Sequence, residues 1–163
     1  MKSKFSFAGY FPLIVGAFLL LGFATYITLI VKQMVPGPSL KSLPLFLLLA
    51  FTMVWLFWGE CRTKMIAVDM DGNNLSIARF GGLGKKEDYL FSDFDGYTIS
   101  QQPYGARGIL EFLYLMKADR KTIKISEAYH KNYRELKAAI EPRLKDLGYQ
   151  KFNFIDEFRE IFI

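Results

Sequence analysis

Three carboxylates in the stretch DYLFSDFDG, Asp88, Asp93 and Asp95, stand among the aromatics Tyr89, Phe91 and Phe94. Carboxylates this close together could serve general acid–base chemistry or a divalent cation, if the fold aims them at one point. A second acidic cluster, DMDGNN, offers Asp69, Asp71 and Asn73 in the order of a calcium loop. Such a loop needs glycine at its sixth position and an acid at its twelfth, where this chain has Asn74 and Phe80. The segment FGGLGKKE has the glycines of a phosphate loop. The pattern fails at both ends, because Arg79 stands where the first glycine belongs and Lys86 where Ser or Thr should bind magnesium.

His130 is the chain's one histidine and Cys61 its one cysteine. No serine or cysteine nucleophile stands at a recognisable spacing from His130, and no cluster has the spacing of zinc ligands. The chain is therefore expected to have no catalytic residue, cofactor or metal site. A single cysteine forbids an intrachain disulfide and suits a reducing compartment.

The elements around these residues divide the chain in two. No residue from Tyr10 to Val31 is charged, and none from Leu43 to Gly59. The first run has 22 residues, about 33 Å as a helix, enough for a hydrocarbon core of about 30 Å. The second has 17 residues, about 26 Å, with Trp55 and Trp58 at the end where indoles favour the headgroup level. Pro36, Gly37 and Pro38 force a reversal between them, predicting a transmembrane hairpin over residues 1–63, with spans at about 10–31 and 43–59. Tyr10, Trp55, Trp58, Arg62 and Lys64 are the expected membrane-interface residues. Lys2, Lys4, Arg62 and Lys64 on the outer flanks, against Lys32 and Lys41 in the loop, put both termini in the cytoplasm at a bacterial inner membrane. Gly16, Gly22 and the Ala24/Thr28 pair permit close helix contacts, and so homo- or hetero-oligomers through the spans.

All 16 acidic residues lie at or beyond Glu60, where 17 basic residues meet them, so that region is about +1. The net charge of +5 thus belongs to the membrane flanks. A nucleic-acid partner is not expected, since phosphate neutralisation needs basic charge gathered on the folded domain.

From Lys64 the pattern changes to short alternating stretches with turn residues between them. TKMIAVDM, LSIARF, EDYLF, DGYTISQQ, ILEFLYLMK and TIKIS read as about six strands, with DGNN and ADRK as hairpin turns. In EAYHKNYRELKAAIEPRLKDLGY the residues Tyr129, Tyr133, Leu136, Ile140, Leu144 and Leu147 form one apolar stripe at helical spacing. Ser126 is its expected N-cap and Gly148 its stop, with Pro142 as an internal kink.

KKEDYLFSDFDGYTI and TIKISEAYHKNYRELKAAI resemble the bacterial pleckstrin-homology-like domains. There a strand enters an aromatic-Ser-Asp-hydrophobic turn, and a later hairpin leads into a closing helix containing Asn-Tyr-x-Glu-Leu. The resemblance covers residues 64 to 147. It implies a seven-stranded antiparallel roll capped by one helix, of which about six strands are recognisable, and two membrane helices commonly precede such a domain. The expected fold class is thus membrane-anchored α+β, with the roll at 64–148 and an amphipathic segment at 149–163. On this reading Phe91 and Phe94 enter the core, while Ser92, Asp93 and Asp95 serve the turn.

The last stretch, FNFIDEFREIFI, puts Phe154, Phe158 and Phe162 on one helical face, suited to packing or to a protein partner. Lys85 and Lys86 are the candidate lipid contacts of the domain. The expected function is a non-catalytic binding or scaffolding module displayed on the lipid bilayer and engaging a protein partner. The alternatives are an immunity protein that neutralises a toxin, and an accessory subunit of a transport or secretion complex.

Overall fold

A computed structural model describes residues 1–37, 39, 41, 43–103, 108–153 and 155. Two apolar helices come first: α1 at Phe7–Val31, and α2, which begins at Leu43 and continues to Cys61 with its last seven residues in wider π-helical winding. Both are long and apolar enough to cross a membrane. Ser6 caps α1 by accepting the Gly9 amide at 3.3 Å. The helices touch where glycine leaves room: a methyl group at Gly16 would lie 2.7 Å from the Phe57 ring. Further along, Tyr26 and Phe46 pair at 5.3 Å between ring centroids.

The remainder is an α+β fold. The strands are β1 (Ala67–Asp71), β2 (Asn74–Ala78), β3 (Lys86–Leu90), β4 (Gly96–Pro103), β5 (Ile109–Lys117) and β6 (Arg120–Ser126). Helix α3 (Tyr133–Ile140) and strand β7 (Asp146–Tyr149) follow. One sheet has the order β1-β2-β3 and the other β6-β5-β4-β7. All pairings are antiparallel except β4 with β7. The DGNN turn closes the β1–β2 hairpin, with Asp71 opposite Asn74 and Gly72 at φ 54, a left-handed value that suits glycine.

Alternation sends Val68, Met70, Leu75, Ile77, Leu113, Leu115, Ile123 and Ile125 into one core. Phe91, Phe94, Tyr133, Leu136 and Ile140 complete it, so α3 closes the space between the sheets as the apolar stripe predicts. Phe112 and Tyr114 lie on the other face of β5 and are also buried, with the Lys124 ammonium 4.7 Å and 5.3 Å from their ring centres.

The helix predicted over 127–148 is shorter at both ends. Asn132, not Ser126, precedes it, and Ser126 closes β6 opposite Phe112. The cause at the front is tertiary: Ala128 O, Tyr129 O, Lys131 N and the Asn132 side chain bond the chain's first residues in place of a helical ladder. Ser6 N donates to Tyr129 O at 2.9 Å and Lys131 N to Lys4 O at 2.7 Å. At the back, Pro142 has no N–H to continue the ladder. Residues beyond it extend instead into β7, a seventh strand that the sequence reading did not find. Gly148, expected as a helix stop, lies inside that strand at φ 91.

Candidate functional site where the helices meet the sheets

Residues 1–6, grouped by sequence with the hairpin, run as a strap along the sheet domain. Ser3 N donates to Val68 O at 2.7 Å, Met70 N to Met1 O at 2.8 Å, and Val68 N to the Ser3 hydroxyl at 2.8 Å. The amino terminus reaches the Met70 carbonyl, and Lys2 pairs with Asp69 at 3.6 Å. On the strap's other side, the Asn132 side chain accepts from Lys4 N at 2.7 Å and donates to Lys2 O at 3.0 Å. The Ser6 hydroxyl donates to the Ala128 carbonyl.

The end of α2 arrives at the same place. The Tyr129 hydroxyl donates to one Glu60 oxygen at 2.7 Å, and Lys64 pairs with the other at 2.9 Å. Gly81 N donates to Met65 O at 2.6 Å, bringing the glycine loop after β2 against the chain that leaves α2. Gly9 sits so close to Tyr129 O that an added methyl group would lie 3.0 Å away. Both helices are therefore tied to one edge of the domain.

His130 is the centre of this junction. Its ring is buried, with Nδ1 3.0 Å from Ser126 O, Nε2 2.9 Å from Ile66 O, and Phe5 at a centroid distance of 5.4 Å. Burial lowers its pKa below the ordinary 6.5, against the two carbonyls that favour the proton. A shallow cleft of about 420 Å³ opens beside it, between Ser6 and the start of α3. Its rim carries Glu127 and Glu135 against Lys131 and Arg134, and so presents mixed charge.

Of the residues expected at a membrane interface, Lys64 and Tyr10 touch this junction, through Glu60 and Phe5. Tyr10 is exposed and meets the Phe5 ring edge-on at 5.8 Å. Trp55 is half-buried beside Phe51, while Trp58 is exposed with the Arg62 guanidinium 5.7 Å from its ring centre. Lys85 and Lys86 are both exposed, and Lys86 lies 3.4 Å from Asp88. Phe154, Phe158 and Phe162 lie outside the described residues.

The three carboxylates of DYLFSDFDG serve three different partners. Asp88 takes a hydrogen bond from the Ser76 hydroxyl, which, with Lys86, lowers its pKa. Asp93 accepts the Leu90 amide at 2.9 Å and so caps the short 3-10 turn over Phe91–Asp93. Asp95 accepts the Asp119 amide at 3.3 Å in the β5–β6 turn. Burial, then the neighbouring Glu87, pushes the Tyr89 phenol up to about 12. The Tyr133 phenol, which donates to Glu111 at 2.8 Å, is raised much further by burial. Among the described residues, no group of three or more His, Cys, Asp or Glu is placed to hold a metal ion.

Sequence reading missed the strap, the Glu60–Tyr129 contact and the role of His130. Each joins residues more than 60 positions apart, which local periodicity does not register. Comparison with known protein families, curated proteins and solved structures gives no significant match.

Proposed function

We propose that this chain is an integral membrane protein. On this reading α1 and α2 cross the bilayer as a hairpin and display the sheet domain on the cytoplasmic side, as a pleckstrin-homology-like binding or scaffolding module for a protein partner. The observation that carries it is the junction. Strap residues before α1 and Tyr129-linked Glu60 at the end of α2 meet the same domain edge. With both outer ends on one side, an even number of crossings follows, and two helices supply it. The lipid-facing character is supported by exposed Phe7, Phe11, Phe18, Leu21, Leu47, Leu48 and Phe51, apolar side chains whose exposure to water would be penalised.

The resemblance to pleckstrin-homology-like domains is supported by the six antiparallel strands β1–β6 closed by α3, while β7, which follows α3 and pairs parallel to β4, departs from the expected antiparallel roll. A binding role suits the chemistry better than catalysis. His130 and Cys61 are buried, and the three aspartates are engaged in turns and hairpins. The test has two arms on the full chain. Resistance to alkaline carbonate extraction, with tags at both termini cleaved only from the cytoplasmic side, is the expected topology. Extraction by carbonate, or tags cleaved from opposite sides, refutes it. Affinity purification in mild detergent should then recover a stoichiometric protein partner. Selective binding to a lipid headgroup with no protein retained would overturn the choice of ligand.

A further inference from the structure

Leu83 is the most exposed large hydrophobic residue among the described residues, at 85 %. It projects from the loop between β2 and β3, a tight turn in which Phe80, Gly81 and Gly82 have φ values of 53, 68 and 98. Two contacts seat this loop beside the helices. Gly81 N donates to Met65 O at 2.6 Å, and a methyl group at Gly81 would lie 4.0 Å from Leu13 of α1. Leu13 lies three residues inside the apolar run that begins at Tyr10, a depth of roughly 4–5 Å along a helix. Gly81, two residues before Leu83, thus lies near the level of the boundary between headgroups and acyl chains. The residues after Leu83 suit the same zone, since Lys85 and Lys86 are exposed and cationic.

We infer that the loop at residues 80–86 is a third membrane contact, placing Leu83 in the acyl-chain boundary and Lys85 and Lys86 among anionic headgroups. This rests on the membrane-spanning reading of α1. The contact gives the domain a fixed orientation on the bilayer, because the loop adds a point of attachment beyond the strap and the Glu60–Tyr129 bond. A single exposed leucine on a soluble surface is ordinary, and its depth relative to α1 is what separates this one.

The test is spin-label depth measurement on the full chain in vesicles of phosphatidylcholine and phosphatidylglycerol. Labels go at Leu83→Cys, at Phe18→Cys within α1, and at Asn73→Cys on the far hairpin tip. Native Cys61 is fully buried, which directs the label to the new thiol. The expected result is an oxygen-to-nickel collision ratio at 83 clearly above that at 73 and below that at 18, which lies eight residues, roughly 12 Å, past Tyr10. A ratio at 83 equal to that at 73, with 18 in lipid, overturns the loop contact and leaves the hairpin standing. A water-exposed label at 18 overturns both. Protection at 83 from oxygen and nickel alike signifies a protein contact and also overturns it. Photolabelling of the unmodified chain by a diazirine lipid is the check independent of substitution, and should mark the peptide containing Leu83 but not the one containing Asn73.

Discussion

His130 carries a prediction that can be worked through from geometry. It is the chain's one histidine, so no second imidazole shares its titration range. Its two ring nitrogens face two carbonyls, Ser126 O at 3.0 Å and Ile66 O at 2.9 Å. A neutral ring has one N–H and satisfies one of them, whereas the imidazolium donates to both. Burial outweighs that gain and holds the pKa below 6.5 in the folded chain. The folded state therefore prefers the neutral ring. Above pH 6.5 both states are neutral and the junction keeps its full stability. As pH falls below 6.5 the unfolded chain takes up a proton that the folded chain refuses, and stability drops until the folded pKa is passed. One proton sets an upper limit of about 1.4 kcal/mol per pH unit on that slope. The perturbation is His130→Gln, whose side-chain amide keeps N–H donors and does not titrate. At neutral pH it should cost about 1–3 kcal/mol, because the flexible amide does not reproduce the rigid ring's directed N–H bond to a buried carbonyl or its packing on Phe5. The assay is urea denaturation of the full chain in detergent at several pH values between about 7.5 and 5.5, above the range where carboxylates dominate. The native chain should weaken across this window and the variant should not. Equal slopes in the two proteins, or a flat profile in the native chain, refute the assignment.

Leu136 is fully buried in the core, so Leu136→Ala should cost about 2–5 kcal/mol by the same denaturation assay. Gly96→Ala puts a methyl group 2.4 Å from Lys145 O, so β7 must move off β4. A loss of about 1–3 kcal/mol is expected, with faster amide exchange at Tyr97 and Gln150, whose N–H groups bridge those strands. Gly16→Leu meets the Phe57 ring, where even a methyl group would lie at 2.7 Å. It should part α1 from α2 and lower the thermal midpoint in detergent by an amount corresponding to about 1–3 kcal/mol.

The DYLFSDFDG stretch shows how much of a site can be read locally. Phe91 and Phe94 enter the core and Asp93 caps its own turn, all within three positions of one another, so residue type and spacing suffice. Gly96 is different. Its need for glycine comes from Lys145, which arrives beside it only when β7 joins β4. The closing helix divides the same way. The stripe of Tyr133, Leu136 and Ile140 is visible because helical packing repeats every three or four residues. Its true start is not visible, because the strap at residues 1–6 competes for the backbone of residues 128–132.

Residue order by itself determined the two apolar helices and the hairpin turns, along with the faces of the strands that turn inward. Each depends on side-chain period and backbone preference over a few neighbours. Tertiary structure decided the rest. It made the first six residues part of the domain, tied Glu60 to Tyr129, locked His130 between carbonyls and converted the end of the predicted helix into β7. Those outcomes are set by which distant polar groups satisfy one another once the core has closed, and a buried hydrogen bond leaves no periodic trace in the chain.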